Sequence, residues 1–263
     1  MNKSLAFSLL LSLFIFGCSK DDSSDQNGQV NIYQNNLNVT FKFMHQDQEV
    51  VYNSDFYTNS NNENLKIRVS KFIISNIKLT KTDGSVYTVP KSESLFIIKK
   101  GLHGDENNIT LDLPKGEYKK LTFGVGIDKE QYDMGANGQG DFLQQANMEG
   151  MIWDWTAGYI YMVYEGKFTS TSVVDERFFG VHAGRTAQNY NYTEHAIELS
   201  SNAIVKENEN SCTIEIVTDL SKICDGDHKL ILTEGSDITG GDKVNLAVEN
   251  LSKVFSTGQI TNN

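Results

Sequence analysis

The chain has 263 residues, with 34 acidic against 23 basic side chains and a formal charge of −11. It carries no basic stripe able to neutralise phosphates, so nucleic acid is not an expected partner. Without the leader and tether described next, about 230 residues remain, enough for one large β domain or two small ones, and no second low-complexity linker divides them.

Met1 to Lys3 carries one positive charge, Leu5 to Phe16 is an almost unbroken apolar run, and Gly17-Cys18 follows. The run is too short to span about 30 Å of hydrocarbon as a helix and suits the cleaved core of a lipoprotein signal peptide, residues 1–17. Cleavage there frees Cys18 for lipidation and removes Lys3, taking the charge from −11 to −12. Ser19-Lys20-Asp21-Asp22 resembles the short acidic signal that sends lipoproteins to the outer face of the outer membrane. The expected location is therefore the outer membrane, at the cell surface or otherwise on its periplasmic face, with membrane contact through the lipid anchor only. Residues 18–31 have almost nothing to bury and read as a flexible tether.

From there to residue 260 the chain reads as a single domain of strands. Alternating or β-branched runs occur at 37–45 (LNVTFKFMH), 65–80, 95–98 and 109–113. Thr82-Asp83-Gly84-Ser85 marks a hairpin into SVYTV, and Pro114-Lys115-Gly116 a turn before YKKLTFGVGI. Further strands are expected in GYIYMVYEGKF, HAIELS, CTIEIVTDL and HKLILT. This spacing predicts a mainly β fold, an antiparallel β-sandwich or open barrel with one or two short helices. The helical stretches are 141–146 and 242–255, the second with Asp242 as cap and an apolar stripe that packs on a sheet.

Common catalytic motifs are missing. Gly124-x-Gly126 lacks the third glycine and the crossover helix of a dinucleotide site and reads as a strand narrowing against a neighbour. YDMGANGQGD, 132–141, lacks the register of an EF-hand loop and reads as a polar turn. No GxSxG, HExxH or phosphate-binding loop occurs, and no enzymatic activity is expected. In an oxidising envelope Cys212 and Cys224 would form a disulfide closing a loop of roughly a dozen residues, worth about 3 kcal/mol; reduced, partly buried thiols are the alternative.

Histidine and tryptophan are the informative residues. His103 and His228 sit in polar turns and read as solvated. His45 ends an apolar run and shares a strand face with Phe43, and His182 follows two phenylalanines in RFFGVHAGR. Two imidazoles brought together would make a transition-metal site. In an extended segment Met151, Trp153 and Trp155 project to one face and could line one pocket.

FKFMH (41–45), VSKFIISNIKLTKTDGS (69–85), LPKGEYKKLTFGVGID (113–128), MIWDWTAGYIYMVYEG (151–166) and FFGVHAG (178–184), in that order, resemble the MbnP-like family, which is common among Bacteroidetes-type lipoproteins. The resemblance covers residues 38–185. It implies a predominantly β fold that binds copper, as Cu(I) or Cu(II), through His45 and His182. It also implies a border of Trp153 and Trp155, with Met151 as a possible sulfur donor. Tryptophan oxidation to kynurenine by a di-haem peroxidase-like partner is implied as well, and a TonB-dependent receptor is a further possible partner. A rival reading is a surface glycan- or peptide-binding lipoprotein that uses exposed aromatic rings.

Overall fold

A computed structural model describes residues 36–54, 56–154, 157–186, 189–206 and 212–263. The chain divides after Ile32 into two units, and all described residues lie in the second. Cys18, the leader, the whole tether and Trp155 fall outside the described residues.

The strands of the first half are β1 (Asn36–His45), β2 (Gln48–Glu49), β3 (Tyr57–Thr58), β4 (Asn64–Lys81), β5 (Val86–Thr88), β6 (Leu95–Gly101), β7 (Asn108–Asp112) and β8 (Gly116–Val125). Helices α1 (Lys129–Asp133) and α2 (Asp141–Met148) interrupt them. Then come β9 (Ile160–Thr169), β10 (Arg177–Gly184), β11 (Thr193–Val205), β12 (Cys212–Asp219), α3 (Ser221–Asp225), β13 (Asp237–Ile238), α4 (Gly241–Asn250) and β14 (Phe255–Thr261).

Among the described residues the strands form two sheets. The smaller runs β14-β12-β1-β2, with β7 also on β1; the larger runs β11-β8-β4-β9-β10-β13, with β3, β5 and β6 also on β4. The fold is a mainly β sandwich with few short helices and no closed barrel. Most pairings are antiparallel as expected, but β1 runs parallel to β12 and β10 parallel to β13.

The inner faces meet in an aromatic core. The Phe123 and Phe255 rings lie 5.2 Å apart edge to face, and Phe72 and Phe41 pack onto them at 5.5 and 5.7 Å, an arrangement that adds to the burial energy. On β4, Leu65 and Ile67 face this core, a register shift follows between Ile67 and Val69, and Ser70, Phe72 and Ile74 then face inward. One extra residue has exchanged the faces. Val69, Lys71 and Ile73 therefore point outward, where a second apolar cluster packs Phe142 and Ala146 of α2 against Val163.

Three segments depart from expectation. α4 ends at Asn250, its first turn holds Asp242 without a side-chain cap, and Phe255 opens a strand instead of closing the helix. HKLILT is no strand. The buried Asn250 amide accepts from His228 N and donates to His228 O and Ile223 O, satisfying that backbone in place of a ladder. Cys212 and Cys224 are both free and buried. Cys212 opens β12 and Cys224 lies beyond its far end in α3, and an eight-residue strand at about 3.3 Å per residue holds the two apart.

Candidate metal centre

The outward face of the larger sheet carries polar side chains in two cross-strand rows. Gly180, Glu165, Val69 and Gly101 are aligned across β10, β9, β4 and β6, and His182, Val163, Lys71 and Lys99 form the adjacent row. Directly paired residues share a face, so His182 and Glu165 lie diagonally on one surface. His182 Nε2 is 2.6 Å from Glu165 Oε1.

That bond holds the Glu165 carboxyl below its ordinary range against the opposing effect of burial, with further help from Lys71 and His103. An ionised Glu165 only accepts, so Nε2 carries the proton of this bond, and the tautomer protonated there has its lone pair at Nδ1. A carboxylate behind one imidazole nitrogen is the usual way of orienting a metal-binding histidine.

A cavity of about 160 Å³ opens beside this pair, lined by His182, Glu165, Val163, Val69, Lys71, Glu149, Gly150 and His103. His103 comes from the turn after β6. Gly101 sits at φ +117 with the Arg68 carbonyl 2.1 Å from where a Cβ would lie, which only glycine tolerates. Leu102 N donates to that same carbonyl, and Gly104 N to Gly101 O, which closes the turn.

The opposite wall is fixed by charge. Lys71 and Lys99 are 5% and 6% exposed and converge on Glu149: Lys71 Nζ reaches Glu149 O at 2.6 Å and Oε2 at 3.1 Å, and Lys99 Nζ reaches Oε1 at 2.5 Å. Burial pushes the Lys99 ammonium down, but Glu149 and Glu106 hold it above its ordinary value. Glu149 is correspondingly lowered despite its own burial. This clamp pins the end of α2 and the start of the 151–166 segment onto the sheet.

The residues expected to form one pocket are dispersed. His45 is buried and faces the inner core, at the end of the alternating stripe Leu37, Val39, Phe41 and Phe43. Its ring centroid is 5.0 Å from that of Tyr57, and Nε2 has no hydrogen-bond partner among the described residues. Burial lowers its pKa, although Asp219 and Asp225 oppose this, so the ring is neutral. The larger sheet stands between His45 and His182, and the pairing expected of them is not formed. Met151 is fully buried in the outer apolar cluster, as core.

Trp153 does stay near His182. The segment bends there instead of continuing as a strand, with Trp153 N donating to Gly158 O. The indole crosses Gly184, two residues along β10 from His182 and on the same face, where an added Cβ would lie 2.8 Å from Trp153 Cζ3. The sheet face thus holds two imidazoles, one bound carboxylate and an indole. Among the described residues no three His, Cys, Asp or Glu side chains converge closely enough to hold a metal ion. Copper would have to be met by two imidazoles, a donor type that suits it.

His103 reads as solvated in the sequence and is exposed in the structure, but its place on the rim of the His182 cavity has no local signature. Glu165 and the Lys71–Lys99–Glu149 clamp were not singled out. Their only signal is cross-strand register, which a single sequence does not contain.

Among curated proteins nothing matches the chain. A solved structure, MbnP from Methylosinus trichosporium, is similar at 13% sequence identity, covering 79% of this chain and 81% of that one with a TM-score of 0.48. The MbnP family matches residues 34–240, past the limit of 185 expected from the motifs. A match over that share of the sequence makes the chain a member of the MbnP family.

Proposed function

We propose that this protein is a non-enzymatic, copper-binding lipoprotein of the cell envelope, anchored through Cys18, whose metal is held at the outer face of the larger sheet. His182 would supply Nδ1, His103 the second imidazole, and Glu165 the carboxylate that orients His182. The observation that carries this reading is the His182–Glu165 pair opening onto a cavity that His103 also borders. Copper stands above the other divalent first-row metals in affinity for nitrogen donors, so two imidazoles in one cavity favour it.

Trp153, whose indole crosses Gly184 on the same face of the sheet, would be the tryptophan converted to kynurenine, with a partner di-haem enzyme supplying the oxidising equivalents. The experiment is copper analysis of purified protein after equilibration and dialysis. Wild type and His45→Ala should retain the metal, and His182→Ala and His103→Ala should lose it. Equal copper content in all four would refute the assignment.

A further inference from the structure

A second concavity, of about 520 Å³, lies between α2 and the bend at Trp153 and shares no lining residue with the His182 cavity. Its walls include Leu143, Gln144 and Asn147 from α2 and Ile152, Trp153 and Asp154 from the bend. The volume falls within the range of small-molecule sites, and the mixture of one large aromatic, two aliphatic and three polar side chains is of the kind such sites use.

From this lining we infer a binding site for a neutral hexopyranose unit of an oligosaccharide, stacked on Trp153. The indole is 38% exposed, unusual for so large an apolar ring in a chain whose tyrosines at 118, 159, 161 and 164 are fully enclosed. Its orientation is fixed, because its far edge fills the space that a side chain at position 184 would need. A fixed, half-exposed indole offers a flat face to the C–H face of a sugar ring. Gln144 and Asn147, three residues apart and both exposed on one side of α2, and Asp154 offer hydrogen bonds at the rim.

Charge decides between ligand classes. None of the lining residues is cationic and Asp154 is acidic, on a chain of net charge −11, so phosphorylated, sulfated and uronic acid ligands would be repelled. A wholly apolar ligand would cover the two amides without offering them hydrogen bonds, at a cost in affinity. A neutral polyhydroxylated ring with one apolar face satisfies both walls.

The test is calorimetric titration of the copper-free protein, produced without the partner enzyme so that Trp153 keeps its indole, with cellotetraose, mannotetraose, maltotetraose and tetra-N-acetylchitotetraose. At least one should bind. Its affinity should fall by roughly tenfold or more in Trp153→Ala and in the exposed double variant Gln144→Ala/Asn147→Ala, and stay unchanged in His182→Ala. Absence of binding by all four sugars, or wild-type affinity in either pocket variant, would overturn the proposal. Loss of sugar binding in His182→Ala would also overturn it as a separate site. Copper content is read independently, so failure here leaves the metal assignment intact.

Discussion

His182 and Glu165 face one another across the β9–β10 pair with Nε2 2.6 Å from Oε1, on the side of the larger sheet turned away from His45. Replacing the carboxylate by an amide keeps the shape and removes the ionised acceptor. Glu165→Gln is therefore expected to weaken copper binding by about 10- to 100-fold while leaving the fold intact. Competition against a chromogenic copper chelator measures it, and an unchanged affinity would show that the pair does not orient a ligand.

Glu149 holds two buried lysines, and removing it leaves both ammonium groups without their main partner. Glu149→Ala should cost about 3 kcal/mol in urea unfolding, the range found when one partner of a buried ion pair is deleted. Lys71→Met/Lys99→Met/Glu149→Leu should recover most of that loss, because the cost arises from unpaired charge and not from missing attraction. A triple variant as unstable as the single one would contradict this.

The strand runs of the first half were legible because alternation survives in the sequence itself: LNVTFKFMH became β1 with every second residue buried. What could not be read was which face belongs to which pocket. His45 and His182 each lie on a readable strand, but the parity along β4 changes at the Ile67–Val69 shift, and no local pattern reveals which sheet a strand joins. β1 beside β12 is a parallel pairing of distant segments, set by tertiary packing alone. Phe255 carried helical spacing yet became a strand residue, since its ring is needed against Phe72 and Phe123. Trp153 lies near His182 because the chain bends at Trp153 itself, and the alternation that grouped it with Met151 does not apply there.

Acid should destabilise the protein through its buried neutral histidines. His195, packed against Phe123 and Phe255, is pushed down to about 4 by burial, and His45 is lowered for the same reason. The unfolded chain takes up protons near pH 6.5 where the folded chain does not, so stability is full above that pH and falls as pH drops toward 4. His195 alone should account for about 2 kcal/mol between pH 7 and pH 5. His195→Gln keeps a partner for Thr193 and should flatten the dependence by that amount in urea midpoints at the two pH values. An unchanged slope would rule out the buried imidazole as its source.

The two thiols are expected to be inert until the fold opens. Burial raises Cys212 and pushes Cys224 up to about 12, and neither pairs. In a Cys18→Ser variant a thiol reagent should find no reactive group in native protein and both cysteines in denaturant. Absence of thiols after denaturation would indicate a disulfide.

On the proposal made above, His182 and His103 ligate copper from the outer face of the larger sheet. X-ray absorption at the copper edge counts the imidazoles bound to the metal. With one equivalent of copper added and no dialysis, so that the weakened variants still carry metal, two are expected in wild type and in His45→Ala, and one fewer in His103→Ala and in His182→Ala. Loss of an imidazole in His45→Ala, with both outer-face variants unchanged, would contradict the account.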